Sequence, residues 1–219
     1  MKVILINGGP RLNWNTHKLL LEAERGAQEA GAETEMVHLY QLDYKDCRSC
    51  FACKLRGNKT DGVCAIADEL KPVLEKIKDA DGVIIGSPVY YGNLTGETIA
   101  FINRLLFPVM YYENDENGQA IRILKKEKKC GLIATMNAPA TLLANGYDRA
   151  FESEARMISM VLGSCETMYS CDTYQFDDYS KYYARRFDEK QKAAHRDEQF
   201  PIDLQNAYEL GKRIATPKE

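Results

Sequence analysis

The stretch "NGGPRLNWNTHKLL", Asn7 to Leu20, follows the apolar run "KVILIN" and leads straight into a helical pattern. A glycine-rich turn between a strand and a helix lets backbone N–H groups point at an anion, and the helix dipole adds positive potential at the same place. Gly8 and Gly9 carry no side chain to block a close approach, Pro10 stiffens the turn, and Arg11 offers a planar guanidinium suited to phosphate oxygens. Asn13, Asn15 and Thr16 add polar side chains, with Asn15 or Thr16 a candidate N-cap. Alone, the stretch is either an anion loop or a tight turn beside a surface charge. It is not G-x-G-x-x-G, and no G-x-x-x-x-G-K-[ST] occurs, which sets two nucleotide fingerprints aside.

Outward from this loop, short β-branched runs alternate with longer amphipathic ones. Strands are expected at about 2–7, 34–39, 82–87, 129–136 and 165–171, and helices at about 16–30, 67–79, 96–106, 145–162 and 203–215. The alternation predicts an α/β fold, a doubly wound sheet of five parallel strands with helices on both faces. Ligands of such sheets sit beyond the carboxyl ends of the strands, so the loops at 7–16, 87–96 and 135–146 carry the chemical interest. A single domain is expected over 1–219, with an insertion at about 107–128 that turns at "ENDENG" and a C-terminal extension at about 172–219. The tyrosine-rich, charged stretch Asp172 to Phe200 is either a solvated extension or a lid or subunit interface.

A chain of 219 residues, 45% hydrophobic and 28% charged, can bury a core for one domain. Its net charge of −3 and pI of about 5.8 give no global field for a polyanion, so nucleic acid is not an expected partner. No apolar run reaches the roughly 18 to 20 residues a membrane helix needs. Met1-Lys2 leads into "VILI" without signal-peptide architecture, so a cytoplasmic protein is expected.

A second loop, within "GVIIGSPVYYGNLTGETIAFINRLL", falls at the same sheet edge and opens another helix. Pro88, Gly92 and Gly96 shape it, while Tyr90 and Tyr91 supply flat faces. A planar heteroaromatic ligand needs such a wall together with exposed backbone donors for its polar edge.

With both loops in view, "GGPRLNWNT" resembles G-S-P-R-x-x-G-N-T, and "GSPVYYGNLTGETIAFINR" resembles G-S-P-V-Y-x-G-x-x-S-G…F-x-D-R, of the NADPH-dependent FMN reductase family of flavodoxin-like proteins. The resemblance runs from Met1 to about Leu106 and continues loosely through 129–136. It implies a flavodoxin-like fold, FMN as cofactor, NAD(P)H as co-substrate, a small-molecule electron acceptor, and a homodimer or homotetramer. Carried over, it makes Gly9, Arg11, Asn13, Asn15 and Thr16 the FMN phosphate contacts. Pro88, Val89, Tyr90, Tyr91, Gly92 and Asn93 would lie along the isoalloxazine, with Thr135, Met136 and Asn137 toward its other side. Gly9 stands where the family has serine, and Trp14 where it has glycine; Trp14 either covers the phosphate or ribityl chain or distorts the loop. No side chain needs to act as acid or base in hydride transfer through a flavin, so no catalytic residue is assigned. A non-enzymatic electron carrier, with flavin alone or flavin plus a cluster, is the alternative.

The run "CRSCFACKLRGNKTDGVC" spaces Cys47, Cys50, Cys53 and Cys64 as C-x2-C-x2-C-x10-C. Ferredoxin motifs begin with the same two spacings, and the segment resembles the compact motif of the family's iron–sulfur flavoprotein branch, whose last gap is shorter. An iron–sulfur cluster, a zinc site and reduced cysteines all remain open, reduced thiols being favoured over a cluster. Cys130, Cys165 and Cys171 are expected on strands as small buried hydrophobes. His17, His38 and His195 show no metal spacing, and Asp68 and Glu69 read as first-turn acids of a helix.

Overall fold

In the computed structural model, which describes residues 1–217, Lys2–Asn7 (β1) is extended and buried beyond its first residue. Alternate side chains of a strand face opposite ways. Val3 and Leu5 accordingly join one apolar cluster, and Ile4 and Ile6 another. The chain continues through α1 (Asn15–Glu29), β2 (Glu33–His38), α2 (Leu70–Asp79), β3 (Gly82–Tyr90), β4 (Asn93–Leu94) and α3 (Gly96–Leu106). Then come β5 (Met110–Asn114), β6 (Ala120–Arg122), β7 (Lys128–Thr135), α4 (Arg149–Leu162), β8 (Gly163–Ser170) and α5 (Glu189–Ala215).

Five strands pair in parallel in the order β2-β1-β3-β7-β8, and β4 adds a short antiparallel turn to the end of β3. The expected flavodoxin-like, doubly wound sheet is therefore present. The chain reverses its winding between β1 and β3, which opens a crevice at their carboxyl ends. Leu19 and Leu20 of α1 and Leu210 and Ile214 of α5 cover one face; α2, α3 and α4 cover the other with residues such as Val73, Phe101 and Phe151. Helices α1 and α5 cross at two glycines: a Cβ on Gly26 would meet the Tyr208 carbonyl oxygen at 2.0 Å, and one on Gly211 the Ala23 carbonyl oxygen at 1.9 Å. Backbones this close leave no room for any side chain.

Segment 107–128 contains the antiparallel pair β5–β6, with Asn114 opposite Ala120 and Asp115 Oδ1 accepting from the Asn117 and Gln119 backbone N–H groups in the turn. The helix expected at 203–215 is only the second half of α5, which runs 27 residues with Pro201 inside it. Asp188 starts α5 by accepting from the backbone N–H groups of Lys190 and Gln191.

Other boundaries move for local reasons. Helix α2 begins at Leu70 because Asp68 is drawn into an ion pair with Arg104 and Glu69 accepts the Asp43 N–H, so neither is a first-turn acid. Before α4, Ala140–Asn145 form 3-10 turns. Strand β8 ends at Ser170, which places Cys171 beyond it rather than in it. Neither Asn15 nor Thr16 caps α1: Trp14 holds that position without a side-chain hydrogen bond, the Asn15 amide being turned to the Tyr174 carbonyl and the Thr16 hydroxyl to Thr135. No helix among the described residues is long and apolar enough to cross a membrane.

Candidate functional site

The loop after β1 is pressed onto α3. A Cβ on Gly8 would lie 1.9 Å from Thr98 Oγ1, so only glycine fits there. The Gly8 N–H donates to the Gly86 carbonyl at 2.8 Å, and Thr95 Oγ1 donates to the Gly8 carbonyl at 2.8 Å. Thr95 also caps α3 by accepting from the Thr98 N–H, so one buried hydroxyl fastens the first glycine loop to the helix behind the second. On the other side, fully buried Asn7 accepts the Gly9 N–H at its Oδ1 (2.9 Å) and places its Nδ2 3.1 Å from His38 Nδ1. The Gly9 N–H fixes which end of that amide is oxygen, so His38 Nδ1 is the acceptor.

These constraints shape a cleft of about 290 Å³ across the carboxyl ends of β1, β3 and β7. Gly9, Arg11, Asn15 and Thr16 line its first side, Pro88, Val89 and Tyr90 its second, and Thr135, Met136 and Asn137 its third. Ten of the residues expected from sequence thus meet in one cavity. Asn13, Tyr91, Gly92 and Asn93 are not among its lining residues. Tyr91 and Gly92 are the two positive-φ residues of the β3–β4 turn, which leaves the Tyr91 ring fully exposed.

Pro10, Trp14, Thr173 and Gln175 complete the lining. Residues 173–175 follow β8 and reach back over the first loop: Arg11 Nη1 donates to the Gln175 carbonyl and Asn15 Nδ2 to the Tyr174 carbonyl, both at 2.9 Å. The strand-to-helix loop rule that found the other three loops applies equally after β8. The Trp14 ring lies under the Arg11 guanidinium at 4.5 Å, and Asn13 before it has positive φ.

The donors of this cleft suit a phosphorylated planar ligand. Trp14 Nε1 is buried without a hydrogen-bond partner, and the amino end of α1 has no side-chain cap. With Arg11 at the same end, the uncapped first turn of α1 offers backbone donors to an anion, while Pro88, Val89, Tyr90 and Met136 give apolar walls for a ring system.

Cys47, Cys50, Cys53 and Cys64 line a second, small cleft between the β2–α2 connection and α3, together with Phe51 and Arg104. Ser49 and Phe51, which flank Cys50, both have positive φ. Hydrogen bonding, chiefly from the Ala52 backbone, holds the Cys50 thiol below its ordinary value, whereas burial pushes Cys53 up. Arg104 is buried, paired with Asp68, and has its Nε without a hydrogen-bond partner. Four cysteines lining one cavity have the residue types of a cluster site. Among the described residues, however, no group of three or more His, Cys, Asp or Glu is placed to share a metal ion. Cys130 is buried, while Cys165, its register partner on β8, and Cys171 are partly buried.

His17 and His38, far apart in sequence, stack with ring centroids 5.1 Å apart beside the first loop. Burial lowers the pKa of both, His17's charge lowers that of His38 further, and Glu24 partly offsets the effect at His17.

Comparison with known proteins bears on the family and the fold. The sequence profile of NADPH-dependent FMN reductases matches residues 1–123. An iron–sulfur flavoprotein of Methanocaldococcus jannaschii is 39% identical over 104 residues, 48% of this chain and 51% of that protein. The chain spans about half the length of the curated relatives it matches. Among solved structures, an NAD(P)H:quinone oxidoreductase from Methanothermobacter marburgensis aligns with TM-score 0.68 and 14% identity over 100% of this chain and 99% of that one. An azoreductase from Bacillus anthracis aligns with TM-score 0.67 and 16% identity over 97% and 99%. At these identities the structural likeness speaks for the fold. The profile match, by contrast, covers more than half of the sequence and contains both loops that open the cleft: the chain belongs to the NADPH-dependent FMN reductase family.

Proposed function

We propose that the cleft holds FMN and that the protein is an oxidoreductase carrying hydride from NAD(P)H to a small-molecule acceptor such as a flavin or quinone. The observation that carries this reading is the meeting of the uncapped amino end of α1 with Arg11 at one end of a cleft whose other walls are flat and apolar. FMN, when bound, supplies the two-electron chemistry.

The protein's residues bind and orient. Arg11 and the first N–H groups of α1 take the phosphate, and Asn15 and Thr16 stay fixed by their own hydrogen bonds to Tyr174 and Thr135. Pro88, Val89 and Tyr90 form the wall on which a ring packs, and the 88–93 and 135–137 loops set their backbone donors against its polar edge. Asn13, Tyr91, Gly92 and Asn93 serve at the rim. Tyr90 is half exposed, which leaves an approach for a nicotinamide or acceptor. No side chain moves a proton in this scheme, and none is assigned as catalytic.

The test is uptake of FMN by purified protein, followed by oxidation of NADPH or NADH with flavin, quinone and azo acceptors. Two flavin absorption bands with turnover sustain the reading; protein that takes up no FMN sinks it.

A flavin plus iron–sulfur electron carrier is the second reading, favoured by four cysteines on one cleft and by relatives named as iron–sulfur flavoproteins. Anaerobic protein showing a broad sulfur-to-iron shoulder, lost in air, would establish it. A homodimer or homotetramer belongs to either reading, with the exposed Tyr182 and Tyr183 at the interface; sedimentation as a monomer would reject it.

A further inference from the structure

Lys192 lies in the first turns of α5, in the C-terminal extension, and is only 5% exposed. A buried ammonium needs acceptors for its three N–H groups. It has them. Nζ donates to the Asn137 carbonyl at 2.9 Å, to Asn137 Oδ1 at 2.5 Å, and to the carboxylate of Asp172, with which it forms an ion pair. Asn137 lines the large cleft, as does Thr173, the residue after Asp172. The same two loops are laced by backbone hydrogen bonds from Asp172 N–H to the Ala138 carbonyl and from Thr173 N–H to the Met136 carbonyl. On its far side, Asp172 Oδ2 is 4.0 Å from His195 Nδ1, and the Phe187 ring lies 5.2 Å from the ammonium.

The arrangement has a direction. It is the ammonium, and not the carboxylate, that hydrogen-bonds the cleft-lining residue. Adding two electrons and one proton to a flavin leaves one net negative charge on the ring system, and a fixed positive charge behind a hydrogen-bonding wall favours that state over the oxidised one. A buried site keeps such an interaction from being screened by salt.

The geometry points to Lys192 as a positioning residue that acts through Asn137, holding the 135–137 wall in place and biasing the cleft toward the reduced, anionic form of its flavin. This rests on the reading of the cleft as an FMN site. It extends that site to an ammonium contributed from 55 residues beyond the wall it supports. Sequence alone gave no reason to single this lysine out among the charged residues of "DEKQKAAHRDEQF".

The experiment measures the ratio of affinities for reduced and oxidised FMN, read as the midpoint potential of the bound flavin, in the wild type, Lys192→Met, Lys192→Arg and Asp172→Asn. Lys192→Met is expected to weaken binding of reduced FMN relative to oxidised by about tenfold, a fall of about 30 mV for a two-electron couple. Lys192→Arg, which keeps the charge, is expected to restore most of the shift. Asp172→Asn, which removes the opposing charge and leaves the ammonium, is expected to raise the potential. A merely structural role predicts something else, because both Lys192→Met and Asp172→Asn break the same contact: potentials that move in the same direction, or that stay within twofold of the wild-type ratio, overturn the inference. The variants' melting curves identify any that fail to fold, and the Arg and Asn substitutions then still give the signed comparison. A wild type that takes up no FMN overturns the site itself, and is a separate outcome from normal uptake with an unshifted ratio.

Discussion

Thr16 and Thr135 share a hydrogen bond of 2.7 Å although 119 residues separate them. Both are buried. The bond joins the first turn of α1 to the end of β7, so the two sides of the cleft are one hydrogen-bonded unit. Thr16→Val leaves the Thr135 hydroxyl buried without its partner, and a loss of about 1 to 3 kcal/mol in stability is expected. The double variant with Thr135→Val should lose less than the sum of the single variants, because neither hydroxyl is then stranded. Denaturant titration of the three proteins checks both statements.

Arg11→Ala should weaken FMN retention by about tenfold, or about 1.4 kcal/mol, since it removes a charge-assisted contact to a phosphate. Fluorescence titration reads the change, and unchanged affinity would mean that the loop is not the phosphate end.

Trp14→Phe separates two effects. Removing a buried, unpartnered N–H should leave the empty protein at least as stable as the wild type, while the smaller ring under the Arg11 guanidinium holds it less firmly and lowers FMN affinity. Opposite signs in thermal melting and in titration are the expected result; parallel losses would assign Trp14 to packing alone.

Acid should loosen the protein through His17 and His38. Burial lowers both folded values below the ordinary imidazole range, with mutual repulsion adding to the shift at His38. The unfolded chain therefore takes up protons first as pH falls. Stability is fully present above about pH 6.5 and declines below it, levelling off once pH has passed below the folded values. A proton on His38 Nδ1 also opposes the Asn7 amide that holds Gly9, so FMN retention should fall over the same range. His38→Gln should flatten the acid limb of a stability profile; an unchanged limb would place the sensitivity elsewhere.

Gly211→Ala should cost about 1 to 3 kcal/mol by overpacking the α1–α5 crossing, where the new Cβ would sit 1.9 Å from the Ala23 carbonyl oxygen. Melting at wild-type temperature would show that the helices can separate freely there.

What the sequence made legible follows the range of the forces involved. The loops at 7–16 and 87–96 were readable because glycine, proline and helix-start chemistry act within a few residues, and the strand periods around them are strong. Thr173, Gln175 and Lys192 were not, since each reaches the cleft only through tertiary contacts with residues far back in the chain. The first half of α5 was hidden by Pro201 and by charged, mostly exposed positions that blur an apolar period, although Asp188 is an N-cap signal in plain sight. Tyr90 and Tyr91 part company for a geometric reason: the chain turns with positive φ at Tyr91, and Tyr90 alone of the pair lines the cleft. For the four cysteines, spacing announced the thiols' common neighbourhood, while the positions of the sulfurs depend on the left-handed residues around Cys50.

The carbonyl of Gln175 that holds Arg11 comes 164 residues later in the chain. During synthesis the latch of the glycine loop emerges only after all five parallel strands have been made. The most recognisable motif in the protein thus waits for a partner made 164 residues later. A chain that stops after the profile-matched 123 residues carries both signature loops yet lacks β7, β8 and the latch. The cleft is complete only once Thr173 and Gln175 are in the chain, and a fragment chosen for its motifs would carry the signature without the site.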